Sequence, residues 1–278
     1  MTGTLYVVGT PIGNLGDFSP RAVETLQKVD FIAAEDTRVT VKLLNHFEIS
    51  TPMVSYFAHN ISERGPQIIA RILEGESAAI VTDAGMPCIS DPGEELVKMA
   101  LDRGIKVSGV PGPTAALTAL ALSGQNTSRF SFEGFLSVTT TSRKEHLESI
   151  QTYPNTLIFY EAPHKLRKTL RDMLDVLGDR SITLCRELTK LHEEIWKTTL
   201  AESYEFYRNT EPRGEFVLII EGYHSPEVLP LTLEEAVQQV QELMEGGENL
   251  KEAAKIIAKE TPFSKSTLYK ATLDASDA

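Results

Sequence analysis

The amino-acid sequence predicts an α/β protein of two domains with a helical extension at its C-terminal end, and three observations carry that expectation. Short β-rich runs alternate with helical patterns from the start, as in Leu5-Tyr-Val-Val8, a helix near Arg21 to Val29 and Phe31-Ile-Ala-Ala34. Such alternation marks a mostly parallel sheet covered on both faces. At Ser123-Gly-Gln-Asn-Thr-Ser128, small and polar residues interrupt the pattern, which places a domain boundary there. At 278 residues, 41% of them hydrophobic, the chain is longer than one compact unit of typical size.

The first domain is expected over residues 1–124. After Phe31–Ala34 it continues with a helix over Val41 to Phe47, strand Met53-Val-Ser-Tyr56, and a helix near Glu63 to Glu74 that sets Ile68, Ile69, Ile72 and Leu73 on one face. Strand Ala78-Ala-Ile-Val81, a helix near Glu94 to Arg103, strand Ile105-Lys-Val-Ser108 and an Ala/Leu-rich helix over Thr114 to Leu122 complete it. The second domain, 125–224, reads as Phe130 to Phe135, a helix near Lys144 to Tyr153, strand Thr156 to Glu161 and helix Lys165 to Leu177. Strand Ile182 to Arg186, a strand near Trp196, helix Leu200 to Tyr207 and strand Glu215 to Ile220 follow. The extension, 225–278, opens with an amphipathic helix from about Leu233 to Met244. It ends in a helix-turn-helix-like pair, Leu250 to Lys259 and Ser264 to Thr272, with Ser264 as N-cap of the second helix. Ala253, Ala254, Ile257, Leu268 and Tyr269 are expected at its crossing.

Composition removes several classes of function. No apolar run of membrane-spanning length occurs, and the first residues lack the basic segment and small-residue cleavage site of a signal peptide, so a cytoplasmic protein is expected. Cys88 and Cys185 stand alone and far apart, which supports neither a disulfide framework nor a metal site. A formal net charge of −12 argues against non-specific nucleic-acid binding, because displacing counterions from phosphates takes an excess of Lys and Arg. Two basic stretches oppose the trend: Pro163 to Arg171, and Lys251, Lys255, Lys259, Lys265 and Lys270. The plain reading of both is a solvated helix face.

Four Gly/Pro-rich segments each follow an expected strand, where open α/β sheets bind ligands. They are Gly9 to Gly16, Thr82 to Gly93, Gly109 to Ala115 and the Glu161-Ala-Pro-His164 turn. The first has neither the GxGxxG spacing of a dinucleotide fold nor the Gly-Lys-Ser/Thr of a P-loop. These loops offer backbone for close approach and few nucleophiles, which suits a ligand held by shape and peptide groups, such as S-adenosylmethionine, though such loops are also ordinary turns. Asp83 would accept from an amine or a ribose hydroxyl.

At these loops the chain closely resembles a known family. Val8-Gly-Thr-Pro-Ile-Gly-Asn-Leu-Gly-Asp17, Ile32-Ala-Ala-Glu-Asp-Thr-Arg38, Val81 to Gly93 and Val110-Pro-Gly-Pro-Thr-Ala115 are similar to the ribosomal RNA small subunit methyltransferase I family. So are Phe132-Glu-Gly-Phe-Leu136, Phe159 to Lys165, Cys185-Arg-Glu-Leu-Thr-Lys190, His192-Glu-Glu194 and Arg213-Gly-Glu-Phe-Val217. The resemblance implies the tetrapyrrole methylase fold of class III methyltransferases, with a cofactor cleft between two α/β domains. It also implies S-adenosylmethionine as cofactor, 2'-O-methylation of a decoding-region cytidine in 16S rRNA of the small ribosomal subunit, and a homodimer. Porphyrin-precursor enzymes of this fold usually carry a Gly-x-Gly-Pro-Gly first loop; Gly9-Thr-Pro-Ile-Gly13 departs from it and favours RNA.

By position on that fold, Pro11, Asp83, Gly85, Ile89, Thr114, Ala115, Tyr160 and Ala162 are expected to line the cofactor cleft. Glu161, Glu187 and Lys190 are the candidates for general base, with a structural Glu187–Lys190 ion pair as the alternative. Lys165, Arg167 and Arg186 are expected as phosphate anchors, joined by Lys255, Lys265 and Lys270 of the extension, whose helical pair reads equally as a cap or a dimer contact. Phe132 and Phe135 read as core residues, or as platforms for an unpaired base. Two other functions stay open: a tetrapyrrole C-methyltransferase of the same fold, and a non-catalytic nucleotide-binding regulator.

Overall fold

Each β-rich run of the first half becomes a strand of one parallel sheet in the computed structural model, which describes residues 2–225 and 231–276. The strands are β1 (Thr4–Val8), β2 (Phe31–Ala34), β3 (Met53–Ser55), β4 (Ala78–Val81) and β5 (Lys106–Val110), in the order β3-β2-β4-β1-β5. Every residue of β2 and β4 is buried, as expected of central strands covered on both faces. Their alternation divides two cores. Leu5, Phe31, Ala33 and Ile80 pack on one face with Ile69, Ile72 and Leu96. Val8, Ile32, Ala34 and Val81 pack on the other with Leu26 and Leu44.

The helices that supply these faces are α1 (Pro20–Lys28), α2 (Thr37–His46), α3 (Ile61–Leu73) and α4 (Glu94–Asp102). Capping decides where they start. Ser19 accepts from the Ala22 amide ahead of Pro20. Asp36 accepts from the Arg38 amide and starts α2 well before the expected Val41.

The second sheet contains β6 (Phe130–Phe135), β7 (Thr156–Glu161), β8 (Ser181–Arg186), β9 (Glu194–Thr199) and β10 (Phe216–Ile220), in the order β6-β7-β10-β8-β9. Only β6 and β7 run parallel; the other three pairings are antiparallel. One face packs on α6 (Thr140–Ser149), α7 (Pro163–Leu177) and α8 (Leu200–Asn209) through Leu147, Leu166, Leu170, Leu200 and Tyr207. The other face takes α5 (Ala115–Leu122), whose Ala116, Ala119 and Leu120 meet Ile158, Val217 and Ile219. Because α5 follows the last strand of the first sheet yet packs on the second, both sheets belong to one compact unit, Met1–Tyr223.

Helix α6 starts and ends earlier than the expected Lys144 to Tyr153. Arg143 lies inside it, 4% exposed, donating to Asp172 of α7 and to the carbonyls of Ser137 and Val138.

His224–Ala278 form a second compact unit. Positions 226–230, at the start of the expected extension, lie outside the described residues. The unit holds α9 (Leu233–Glu245), α10 (Leu250–Glu260) and α11 (Lys265–Ser276). A Thr232/Glu235 capping box opens α9, and Ser264 accepts from the Thr267 amide at the head of α11. Ala236 and Val240 of α9 join Ala253, Ala254, Ile257 and Leu268 in one core, so three helices pack here rather than a pair. Tyr269, expected at the crossing, is instead 38% exposed, since its neighbour Leu268 fills that place.

Candidate functional site

The loops that follow β1, β4 and β5 meet at the C-terminal edge of the first sheet, and they meet through backbone. Gly9 and Gly112 approach so closely that a Cβ on Gly112 would lie 2.8 Å from the Gly9 Cα. Thr10 and Gly85 exchange backbone hydrogen bonds of 2.9 and 3.2 Å. Gly85 has φ 90°, a conformation that glycine adopts without strain. Cys88 and Ser90, in the same 82–93 loop, hold positive φ without that freedom, at 70° and 63°.

Facing these loops is the side of the second sheet that carries Phe132, Ile158, Tyr160 and Val217. Between them lies a mostly apolar cleft of about 870 Å³, within the roughly 300–1,000 Å³ usual for small-molecule sites. Tyr160 ties the two walls together, since its hydroxyl accepts from the Ala116 amide at the start of α5 (3.2 Å).

One wall is acidic. Glu35, directly after β2, accepts from the Thr82 hydroxyl (2.5 Å) and the Asp83 amide (3.4 Å). Asp83 accepts from the Asp36 amide (3.2 Å). Burial, then the Glu35 carboxylate, holds the Asp83 pKa above the ordinary carboxylate range. The same two causes push Asp91 up to about 6. Glu35, Asp83 and Asp91 all line the cleft.

On the opposite side, Lys190 lies between two carboxylates, 2.9 Å from Glu187 Oε1 and 2.8 Å from Glu215 Oε2. Glu187 Oε1 also accepts from the Glu215 amide (2.9 Å). Partial burial pulls the Lys190 pKa down, but the hydrogen bonds to Glu215 and Glu187 outweigh it, leaving the ammonium above its ordinary value. For Glu187, burial raises the pKa and is outweighed by the Glu215 amide and Lys190, which lower it. The turn that carries them is held in an unusual backbone conformation, with φ 50° at Glu187 and 65° at Thr189. Gly13, from the first loop, packs against the Lys190 stem: a Cβ there would be 2.5 Å from Lys190 Cγ.

Among the residues expected from the sequence, Asp83, Gly85, Ile89, Thr114, Ala115, Tyr160 and Ala162 line this cleft, as do Glu161 and Lys190. Pro11 is buried and the adjacent Ile12 supplies the lining side chain. Glu161 is 2% exposed; its carboxylate accepts from the Ala162 amide and the Thr169 hydroxyl. Glu187 does not line the cleft; its carboxylate pairs with Lys190, which does.

The expected phosphate anchors are not brought together. Arg167 donates to the Tyr207 and Thr210 carbonyls at the end of α8, a C-capping role that occupies its guanidinium. Arg186 pairs with Glu194 at 2.8 Å. Lys165 is half-exposed in the first turn of α7. Lys255, Lys265 and Lys270 belong to the C-terminal unit, where Lys255 pairs with Glu252 at 3.1 Å. Glu35, Asp91 and Glu215 went unnoticed in the sequence, although Glu35 directly follows a strand, the signal that picked out the glycine loops.

Known proteins resemble the chain at both levels. The sequence profile of the tetrapyrrole (corrin/porphyrin) methylases matches residues 4–203. A protein of Synechocystis sp. named ribosomal RNA small subunit methyltransferase I is 47% identical over 98% of this chain and 98% of its own. A protein of Halalkalibacterium halodurans with the same name is 47% identical over 96% of this chain and 93% of its own. The crystal structure of a cobalamin biosynthetic enzyme, cobalt precorrin-4 methyltransferase, superimposes with a TM-score of 0.57 at 16% identity, covering 78% of this chain and 94% of that one.

Proposed function

Because the chain belongs to the tetrapyrrole methylase family, and within it to the ribosomal RNA small subunit methyltransferase I family, we propose that it methylates the ribose 2'-hydroxyl of a decoding-region cytidine in 16S rRNA, with S-adenosylmethionine as cofactor. The observation that carries this reading is the cleft itself, in which backbone loops and three carboxylates face a lysine–carboxylate pair. A tetrapyrrole C-methyltransferase shares the fold, but that likeness stands at 16% identity against 47% for relatives with an RNA-modifying name.

The residues present fit the cofactor. A Cβ at Gly9 or Gly112 would push the two loops apart, and these loops supply Ile12, Thr114 and Ala115 to the cleft lining. Glu35, Asp83 and Asp91 would hold its amino and hydroxyl groups and favour its cationic sulfur. When bound, the cofactor supplies an electrophilic methyl group. The chain's own task is alignment, exclusion of water and removal of one proton. Lys190 stays charged, which removes it as a base and leaves it, as the cation of the cleft lining, to stabilise a developing alkoxide. It also orients Glu215, an exposed carboxylate at the cleft and the remaining candidate for proton acceptor. Glu161, engaged by two donors, holds the β7–α7 turn in shape. Such a substrate sets the reaction in the cytoplasm; no helix among the described residues is long and apolar enough to cross a membrane.

Incubation with methyl-labelled S-adenosylmethionine and unmodified small subunits tests the reading. Label should appear in a cytidine-containing dinucleotide after alkaline hydrolysis, because a methylated 2'-oxygen blocks cleavage of the adjacent phosphodiester. Label found only in ordinary mononucleotides would overturn the ribose assignment, and no label in RNA would overturn the substrate.

A further inference from the structure

We propose that Phe135, turned into the cleft by a β-bulge and backed by Tyr160, is a stacking platform for an unpaired nucleobase of the RNA substrate; the inference rests on the RNA reading above and names how that substrate is gripped.

Strand β6 is the edge of its sheet, and its sequence, Phe-Ser-Phe-Glu-Gly-Phe, begins as a plain alternation. Phe130 and Phe132 line the cleft. Ser131 and Glu133 form a hydrogen-bonded pair, and Glu133 reaches His146 of α6 at 2.8 Å, on the opposite face. Continued alternation would put Phe135 on the α6 face with Glu133. The pairing with β7 instead slips between Phe132 and Gly134, so that Phe132 faces Ile158, Gly134 faces Phe159 and Phe135 faces Tyr160. One residue is absorbed, and Phe135 returns to the cleft side. Leu136 confirms the switch, since it packs with Leu147 and Leu166 in the helix-covered core. Gly134 makes the slip possible with φ 63°, close against Ser90 of the opposing loop.

The result is an aromatic row along the cleft. The rings of Phe132 and Phe135 lie 5.0 and 5.4 Å from that of Tyr160. Phe132 is half-buried against its neighbours, whereas Phe135 is 55% exposed and Phe130 is 42% exposed. A bulge that carries a large aromatic ring out of reach of the core and into a cleft leaves apolar area unpaired unless a flat ligand covers it.

Charge decides what that ligand is used for. A net charge of −12 disfavours binding driven by phosphate contacts alone, which gives contacts to bases more weight. Stacking on an aromatic face is the contact that every base offers, provided it has left the helical stack.

Four versions of the chain test this: wild type, Phe135→Ala, Phe135→Leu and Phe135→Trp. For methylation of unmodified small subunits, Ala and Leu should raise KM for RNA about 5- to 100-fold, the range of base–aromatic stacking. Trp should keep KM within about twofold of wild type. Affinity for S-adenosylmethionine by calorimetry should be unchanged in all four. A second readout needs no turnover: a single-stranded RNA oligonucleotide containing 2-aminopurine should be quenched on binding wild type and Phe135→Trp, and not by the other two. The platform is ruled out if Leu behaves as wild type, which would leave only apolar contact, or if cofactor affinity falls in step with KM. Quenching without methylation of any RNA would instead sink the functional reading and leave the stacking site standing.

Discussion

At Asp91 the cleft holds a carboxylate that burial and the neighbouring Glu35 have pushed up to about 6. For stability the sign is set by that direction: a carboxyl whose folded pKa exceeds its unfolded value stabilises most below the unfolded pKa, and this contribution is lost as pH rises through about 6. For binding the sign reverses, since a cationic ligand favours the charged form. S-adenosylmethionine affinity should therefore fall as pH drops from about 7 to about 5, and Asp91→Asn should bind more weakly at pH 7 with that step removed. Titration calorimetry at both pH values, with a thermal melt of each protein, reads the two effects separately. An unchanged step in the variant would assign the titration to another group. The glycine loops were legible from the sequence because glycine and proline announce their backbone roles. Glu35 and Asp91 were not, because what makes them notable is a meeting of segments far apart in the chain: Thr82 and Glu35 are 47 residues apart.

Most strands and helices were legible for the same kind of local reason: buried runs such as Ala78–Val81 and amphipathic stretches such as Ile61–Leu73 carry their period in themselves. The bulge in β6 was not, since a slip in register exists only relative to β7. Nor was the early placement of α6, which depends on one buried ion pair. Arg143 and Asp172 have side chains 5% and 8% exposed and bridge α6 to α7 at 2.5 Å, with Lys144 at 3.9 Å. Removing one partner leaves a buried charge without its counterion, so Asp172→Ala should cost about 3–5 kcal/mol in denaturant unfolding. Replacing both with apolar residues of similar volume should recover most of that loss. A cost below about 1 kcal/mol for Asp172→Ala would show that the pair is solvated in practice.

For the whole molecule, the two compact units separate what the cleft needs from what the C-terminal lysines do. All cleft residues lie before Gly222, so a chain ending at Tyr223 should bind S-adenosylmethionine as the full chain does. If Lys255, Lys259, Lys265 and Lys270 touch phosphates, the same truncation should weaken binding to small subunits and flatten the log affinity–log salt slope by about two to four units. An unchanged slope in a folded truncation would give the three helices a purely structural role. The strand order has a separate consequence, in time rather than in space. β1 is synthesised well before its partners β4 and β5, which begin only at residues 78 and 106. Until the ribosome has released that much chain, Thr4–Val8 has no neighbour, and an apolar segment must wait unpaired. Its late double pairing is a non-local, slow step of the kind that exposes nascent chains to aggregation. The same step brings Gly9 against Gly112, so the cleft comes into being only as the first sheet closes.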